Sequence, residues 1–323
     1  MGTFVGAHHA TMDIAVTAAV LVGTVLLLGS GIARRWFAAS VGAREQVPLL
    51  SSALLGAVLL IAGSLGDVTS VVMRTLRGRF DLDLFLEYLA STRHGQAAVL
   101  RAVAAIPLAL WAARPAGHGR AERVAFGVAG VALLAAISLV SHSGTMGAAG
   151  LVADLAHLVA TVTWAGALAG LAVLPVWSPG QRLRTYVRGV SRLGLAAVIV
   201  LVTTGTYMAT LHMYGVEAIT TSAYGRSLTV KLLLVTIVLA LAAANRWLFV
   251  PLLERFDRSL PLRRSVRVET ALLALVLVAT AVVATREPAH EPPADDSAPV
   301  HTDRATHDEQ PSHHPAEPAS DDR

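Results

Sequence analysis

Residues 151–174 read LVADLAHLVATVTWAGALAGLAVL, an apolar stretch whose ionisable side chains are those of Asp154 and His157. A helix needs about 20 predominantly apolar residues to cross the hydrocarbon core of a bilayer. The stretch is long enough to do so, and Ala, Leu, Val and Gly dominate its composition. We therefore predict that residues 151–174 form a transmembrane helix.

Seven further runs of the same kind lie on either side of this stretch. They are 13–33, 47–66, 97–113, 124–140, 191–211, 227–248 and 268–285. Across the whole chain 54% of the residues are hydrophobic and 15% are charged, whereas a typical soluble domain has roughly 25% charged residues. Because such a chain cannot cover itself with polar surface, we predict an all-α membrane bundle of about eight transmembrane helices.

The basic residues predict how this bundle faces the membrane. Sixteen of the 26 Lys and Arg residues lie in the loops 34–46, 114–123, 175–192 and 246–267, and eight lie on the opposite side. Loops rich in Lys and Arg stay in the cytoplasm. We therefore expect a multi-pass protein of the cell (inner) membrane with both termini outside the cytoplasm. Nothing basic precedes the first apolar run, so we expect no cleavable signal peptide.

The spans suggest three parts. We predict a first four-span half over residues 1–140, a second four-span half over 141–285, and a tail over 286–323. The tail is rich in Pro, Asp, Glu and His, a composition typical of disorder. Between the second and third spans, residues 80–94 carry apolar side chains at helical spacing, which predicts a short helix on the outer membrane surface.

Several classes of function are excluded by what the sequence lacks. The chain has no cysteine, so it holds no disulfide, iron–sulfur cluster or Cys-ligated zinc site. Neither a Walker-type phosphate loop nor a Rossmann glycine pattern is present, so we expect no nucleotide ligand. The basic residues lie in short loops between apolar runs, so we expect no nucleic acid partner. No Ser/His/Asp constellation can be argued, and we expect a protein that is not an enzyme.

The histidines and methionines collect on the predicted outer side. Eleven of the twelve histidines lie there: His8, His9, His94, His142, His157, His212, His290, His301, His307, His313 and His314. Five methionines share that side: Met12, Met73, Met146, Met208 and Met213. Imidazole suits copper, zinc and nickel, and thioether suits Cu(I). The set favours copper, as Cu(I) or Cu(II), although Met and His also favour membrane interfaces in general.

The deepest polar pair within a span is formed by Asp154 and His157. Residues three apart share one face of a helix, and Thr161 and Trp164 continue that face. Ionisable groups within a membrane face the bundle interior or a wet cavity. The carboxylate could orient the imidazole as a metal ligand or bind the metal itself. The alternative is a structural hydrogen bond between the two side chains.

Four further residues are candidates to complete a metal site above His157. His142 and Met146 belong to a short outer loop that leads into the fifth span. His94 lies at the outer end of the third span, and His212 at the outer end of the sixth. Each alone is more often an ordinary interfacial residue, and their shared level in the membrane is the reason to group them.

Two cations lie at a similar depth within spans, Arg101 in the third and Lys231 in the seventh. A buried cation without a partner is costly, so one prediction pairs Arg101 or Lys231 with Asp154. The other prediction has both side chains reach the outer headgroups.

A series of short motifs runs in order along the second half. They are Ala153–Leu158, Thr163–Leu168, Ser191–Leu193, Thr204–Gly205, Tyr224–Leu228, Lys231–Leu232 and Asn245–Arg246. Together they cover roughly 140–250 and resemble the copper resistance D (CopD) family of bacterial inner-membrane proteins. The stretch Ser91–Gly95 with Arg101 is similar to the first half of that family.

The resemblance implies an eight-span protein that moves copper inward across the inner membrane. It also implies a periplasmic copper-binding partner, which we expect to be a separate chain here. Two other functions remain open. One is a haem-binding membrane electron-transfer protein of the cytochrome b type, although the inner half of every span lacks His. The other is an assembly factor that delivers copper to another enzyme.

Overall fold

The structure is a computed structural model that describes residues 2–36, 46–114, 119–139, 147–174, 180–212 and 223–285. These ranges are helical and contain no strand. The helices are α1 (Gly2–Trp36), α2 (Gln46–Thr75), α3 (Leu82–Ser91), α4 (Arg93–Ala113), α5 (Arg120–Ser138), α6 (Gly147–Ala172), α7 (Gln181–His212), α8 (Ala223–Ala244), a π-helical turn (Asn245–Phe249), α9 (Val250–Phe256) and α10 (Leu260–Ala284).

Eight helical segments in these ranges are long and apolar enough to cross a membrane. Each overlaps one of the eight predicted runs, so the all-α fold and the number of spans are confirmed. The seventh segment is continuous from α8 through the π-helical turn into α9. The division into two halves at residue 140 and the predicted tail over 286–323 fall on residues outside the described part, and both stay predictions.

One predicted boundary is wrong in a way that matters for the polar residues. The second apolar run was predicted to end at residue 66, with a loop from 67 to 96. Instead α2 continues to Thr75, because the residues after Gly66 keep a buried apolar face through Val68 and Val72. Asp67 therefore lies on a membrane-spanning helix and not in a loop.

The predicted surface helix is confirmed as α3. It begins after Asp81, whose carboxylate accepts a hydrogen bond from the Leu84 backbone N–H at 2.9 Å, a typical N-terminal cap. Phe85 and Leu89 pack against a small cluster that includes Val68 of α2. Its position on the membrane surface stays a prediction.

The core of the bundle is organised around α1, which packs against α2, α4, α6 and α10. A very close approach joins Gly29 of α1 and Gly166 of α6. A Cβ atom built on Gly29 would lie 2.2 Å from the Gly166 Cα atom, so the two backbones touch. Small residues at such crossings allow membrane helices to pack closely. By contrast, most of the surface of α7 and α8 is exposed outside the bundle.

Candidate functional site

The predicted pair on the fifth span lies on α6, and each member has a partner on a different neighbouring helix. Ser138, at the end of α5, donates a hydrogen bond of 2.6 Å to the Asp154 carboxylate. His157 Nδ1 lies 3.0 Å from the hydroxyl oxygen of Thr204 on α7. The pair therefore fastens α6 to both neighbours, and the predicted common face of Asp154 and His157 is turned toward other helices.

The Thr204 hydroxyl lies between the His157 ring and a carbonyl group of its own helix. The Thr204 hydroxyl donates its hydrogen to the Val200 carbonyl oxygen at 2.7 Å. A hydroxyl has one hydrogen and two acceptor positions, so while that hydrogen is directed to the Val200 carbonyl oxygen, the Thr204 hydroxyl accepts a hydrogen bond from Nδ1–H of His157. In a neutral imidazole this leaves the lone pair on Nε2, which is the atom available to bind a metal.

Two charged groups of opposite sign act on this imidazole. Asp154 is the anionic group, and Lys231 of α8 is the cationic one. The structure therefore brings Thr204 of α7 to His157, with Asp154 of α6 and Lys231 of α8 as the charged groups that influence the ring. The sequence analysis named Thr204 as part of a motif and Lys231 as a cation within a span, and it connected neither of them to His157.

The prediction that Arg101 pairs with Asp154 is wrong. Arg101 is 5% exposed, and its guanidinium lies 3.2 Å from a carboxylate oxygen of Asp67. The extension of α2 explains the difference, because it carries Asp67 alongside α4. Arg101 is thus paired within the bundle and does not reach for the headgroups.

His94 contacts the same Asp67 carboxylate as Arg101 does. Its Nε2 atom lies 2.9 Å from the Asp67 oxygen, and its ring lies edge-on to Tyr88 of α3, with 6.2 Å between the ring centroids. Asp67, His94 and Arg101 form a second polar cluster, built from α2 and α4. The structure thus places His94 with Asp67 and Arg101, apart from the partners of His157.

The remaining predicted ligands fall outside what the structure describes. His142 and Met146 lie in the undescribed segment 140–146, which leads into α6. The backbone of α7 ends at His212, and the His212 side chain is not described. Within the described part of the chain, no group of three or more His, Asp or Glu side chains is placed to hold a metal ion.

A cavity that the sequence did not predict lies at the opposite end of α6. We call this the arginine-rich end, because the described residues Arg34, Arg114, Arg188 and Arg246 lie there. The cavity has a volume of about 270 Å³ and is enclosed by α6, α7, the end of α8 with its π-helical turn, and α10. Its lining is mostly apolar, and its polar members are Ser191, Asn245, Arg246 and Glu269.

Glu269 is the residue that sequence reasoning missed most clearly. The predicted eighth run began at residue 268, which placed this carboxylate at the membrane edge. In the structure α10 begins at Leu260, so Glu269 lies nine residues into the helix, roughly 13 Å along its axis. The sequence places this carboxylate next to an apolar run, which could have indicated a longer helix. The basic residues before it, Arg263, Arg264 and Arg267, are instead typical of a loop on the cytoplasmic side.

One face of α6 connects the two regions. His157, Thr161, Trp164 and Leu168 follow one another at helical spacing, and the last two line the cavity. Two glycines of α7 face this stripe. A Cβ atom on Gly205 would lie 3.6 Å from the His157 ring, and one on Gly194 would lie 3.2 Å from the Trp164 ring. The His157 region and the cavity therefore share the α6–α7 interface.

Helix α7, which forms one side of this interface, lies in a region that matches a known protein family. Residues 180–283 match the family model described as Copper resistance protein D. No curated protein and no solved structure matches the chain. The matched region contains α7, α8, α9 and nearly all of α10, and therefore includes Thr204, Lys231, Asn245 and Glu269. Across residues 180–283 this membrane protein thus matches the copper resistance D family, which confirms the resemblance predicted from its sequence.

Proposed function

We propose that this protein carries copper inward across the cell membrane and thereby serves copper supply or copper tolerance. The observation that carries the proposal is the orientation of His157 by Thr204. The hydrogen bond engages Nδ1, so that Nε2 is the nitrogen left to bind a metal, in a helix that packs against the copper resistance D region. Metal-binding histidines are characteristically held through their second nitrogen in this way.

The proposed copper site combines described and undescribed residues. His157 is its centre, and Asp154 either supports the ring or binds the metal directly. Because the described residues do not supply a third ligand, we propose that His142 and Met146 do so from the segment that leads into α6, with His212 at the end of α7. Imidazole with thioether suits Cu(I), and imidazole with carboxylate suits Cu(II).

We assign His94 a separate place in the proposed path. His94 lies on α4 next to Asp67 and Arg101. In this proposal it receives copper at the outer surface before the ion reaches His157. In this proposal a separate extracytoplasmic copper-binding protein delivers the metal. The bias of basic residues supports the orientation with both termini outside.

Copper uptake into proteoliposomes tests the proposal. We expect His157→Ala to abolish copper accumulation while the protein is still expressed and inserted, because Ala suits a membrane helix. Asp154→Asn should give a smaller defect, since an amide oxygen still accepts the hydrogen bond of Ser138 but carries no charge. If His157→Ala accumulates copper like the parent, the metal path does not run along α6.

An absorption spectrum of the same purified protein tests the haem alternative. A Soret band with one haem per chain would favour an electron-transfer function and would count against copper transport. Metal analysis of that sample should instead show bound copper.

A further inference from the structure

The cavity at the arginine-rich end contains a buried carboxyl group that the proposed copper site does not use. Glu269 is 2% exposed, and its carboxylate accepts a hydrogen bond from the side-chain amide of Asn245. The amide is neutral, so this bond does not compensate a negative charge. Burying an unpaired carboxylate is energetically costly, and binding of a proton or another cation removes that cost.

The following basic residues around the cavity form hydrogen bonds or ion pairs with groups other than Glu269. Arg246, which lines the cavity, donates from one nitrogen to the Ser191 hydroxyl at 2.9 Å and to its carbonyl oxygen at 3.1 Å. In the first turns of α7, Arg188 pairs with Glu254 at 2.5 Å, and Arg184 pairs with Asp257.

The other helices that pack against α10 also provide no positively charged partner for Glu269 among the described residues. On α1, which packs against α10, Arg35 pairs with Glu122 at 3.5 Å, and Arg34 donates to Gln46 and to the Arg114 carbonyl oxygen. The α6 lining is apolar, and on α10 itself Arg263, Arg264 and Arg267 precede the carboxylate. Only Asn245 forms a hydrogen bond with Glu269 among the described residues.

Two further polar atoms near Glu269 are buried and lack a hydrogen-bond partner. They are the side-chain oxygen of Asn245 and the hydroxyl of Ser265, which lies one turn before Glu269 on α10. In folded proteins such atoms are usually satisfied by a bound water molecule. The cavity next to them has room for several water molecules, and its lining extends to the exposed Trp247 at the bundle surface.

The partner of Glu269 lies at the start of an irregular helical turn. Residues Asn245–Phe249 form a π-helical turn, which inserts extra residues into the turn and rotates the side chains that follow. Its first two residues, Asn245 and Arg246, reach different helices, Glu269 on α10 and Ser191 on α7. Single π-helical turns within longer helices are frequent at functional sites.

We propose that Glu269 and Asn245 form a proton-binding site, and that this site exchanges its proton when copper moves through the protein. The step breaks the O–H bond of the Glu269 carboxylic acid and transfers the proton to water in the cavity. The carboxylate that remains offsets the positive charge of the arriving metal ion, and it takes up a proton again when the ion leaves. The coupling rests on the proposed transport function, whereas the proton site itself does not.

Infrared spectroscopy tests the proton site without any metal. The full chain in lipid is titrated with acid and base, and the carbonyl stretch of protonated carboxyl groups is followed. We expect a titrating band that is absent in Glu269→Gln and present in the matched control Glu254→Gln, because Glu254 is at the surface and pairs with Arg188. A band that is identical in the parent and in Glu269→Gln would overturn the proton site.

Proteoliposomes with an entrapped pH-sensitive dye test the coupling. Addition of copper should produce a proton flux in the parent and in Glu254→Gln. Glu269→Gln should lose that flux but still bind copper through His157. Equal proton flux in Glu269→Gln and the parent would overturn the coupling. If copper produces no proton flux in the parent, the coupling is wrong. The outcome with His157→Ala then decides separately whether copper transport itself stands.

Discussion

His157 Nδ1 lies 3.0 Å from the Thr204 hydroxyl oxygen, and that hydroxyl donates its own hydrogen to the backbone of α7. In that arrangement the hydroxyl accepts a hydrogen bond from Nδ1–H, and the contact holds the orientation of the ring. A rigid imidazole with a defined free nitrogen binds a metal more tightly than a freely rotating one. The α6–α7 contact thus defines the atom through which the protein would contact copper.

Loss of the Thr204 hydroxyl should weaken copper binding although no proposed ligand is removed. Thr204→Val keeps the shape of the side chain but leaves His157 Nδ1 without its acceptor. We expect the affinity for copper to fall about 10–100-fold, measured on the purified full chain by competition with a coloured copper chelator. Thr203→Val is the matched control, since Thr203 is exposed and bonds only to the Ile199 carbonyl oxygen on its own helix. Equal affinities for the two variants would show that Thr204 does not orient the ligand.

Deletion of residues 286–323 should lower the amount of copper bound without abolishing function. Five histidines among many acidic residues predict several weak sites instead of one defined geometry. Metal analysis should show a lower stoichiometry, and copper-dependent growth should be largely retained at high external copper. Loss of function at every copper concentration would show that the tail is essential.

Loss of the Asp67 carboxylate should destabilise the bundle. Asp67→Ala leaves Arg101 buried without its partner, and breaking one side of a buried ion pair costs up to about 3–5 kcal/mol. Asp67 is partly exposed, so we expect the lower part of that range. Denaturant unfolding in detergent micelles measures the change.

The pair formed by Arg188 and Glu254 provides the control for that measurement. Both side chains are substantially exposed, so Glu254→Gln should cost about 0–1 kcal/mol. If Asp67→Ala and Glu254→Gln destabilise the protein equally, the Asp67–Arg101 pair has no special structural role.

Gly29→Ala should destabilise the crossing of α1 and α6. The added methyl group would lie 2.2 Å from the Gly166 Cα atom, so the helices must move apart, at a cost of at least about 1–3 kcal/mol. Gly127→Ala on α5 is the control, because the nearest atom there is 3.9 Å away. That change should be neutral or stabilise the helix by about 0.5–1 kcal/mol. Thermal unfolding followed by size-exclusion chromatography compares the two, and a stable Gly29→Ala variant would contradict the packing.

Reporter fusions should show both termini outside the cytoplasm. Alkaline phosphatase is active only outside, so a fusion at the C-terminus should be active. A fusion that ends at residue 180, in a loop of the arginine-rich end, should be inactive. A well-expressed but inactive C-terminal fusion would reverse the orientation and with it the side from which copper reaches His157.

The sequence alone determined the features that depend on local composition. Eight apolar runs predicted eight spans, and spacing predicted both α3 and the common face of Asp154 and His157. These features are readable because a bilayer imposes the same requirement on every spanning segment, namely an apolar surface and internally satisfied backbone hydrogen bonds. Each segment meets that requirement with its own residues.

Only the tertiary structure decided which polar groups meet across helices. It paired Arg101 with Asp67 and not with Asp154, brought Thr204 to His157, and joined Asn245 to Glu269 inside a cavity. A local pattern cannot provide these pairs, because they depend on which helices are neighbours, how far each is rotated, and whether a helix continues beyond its apolar run. Those choices follow from the packing of whole helices, such as the contact of Gly29 with Gly166, in which residues distant in the chain act together.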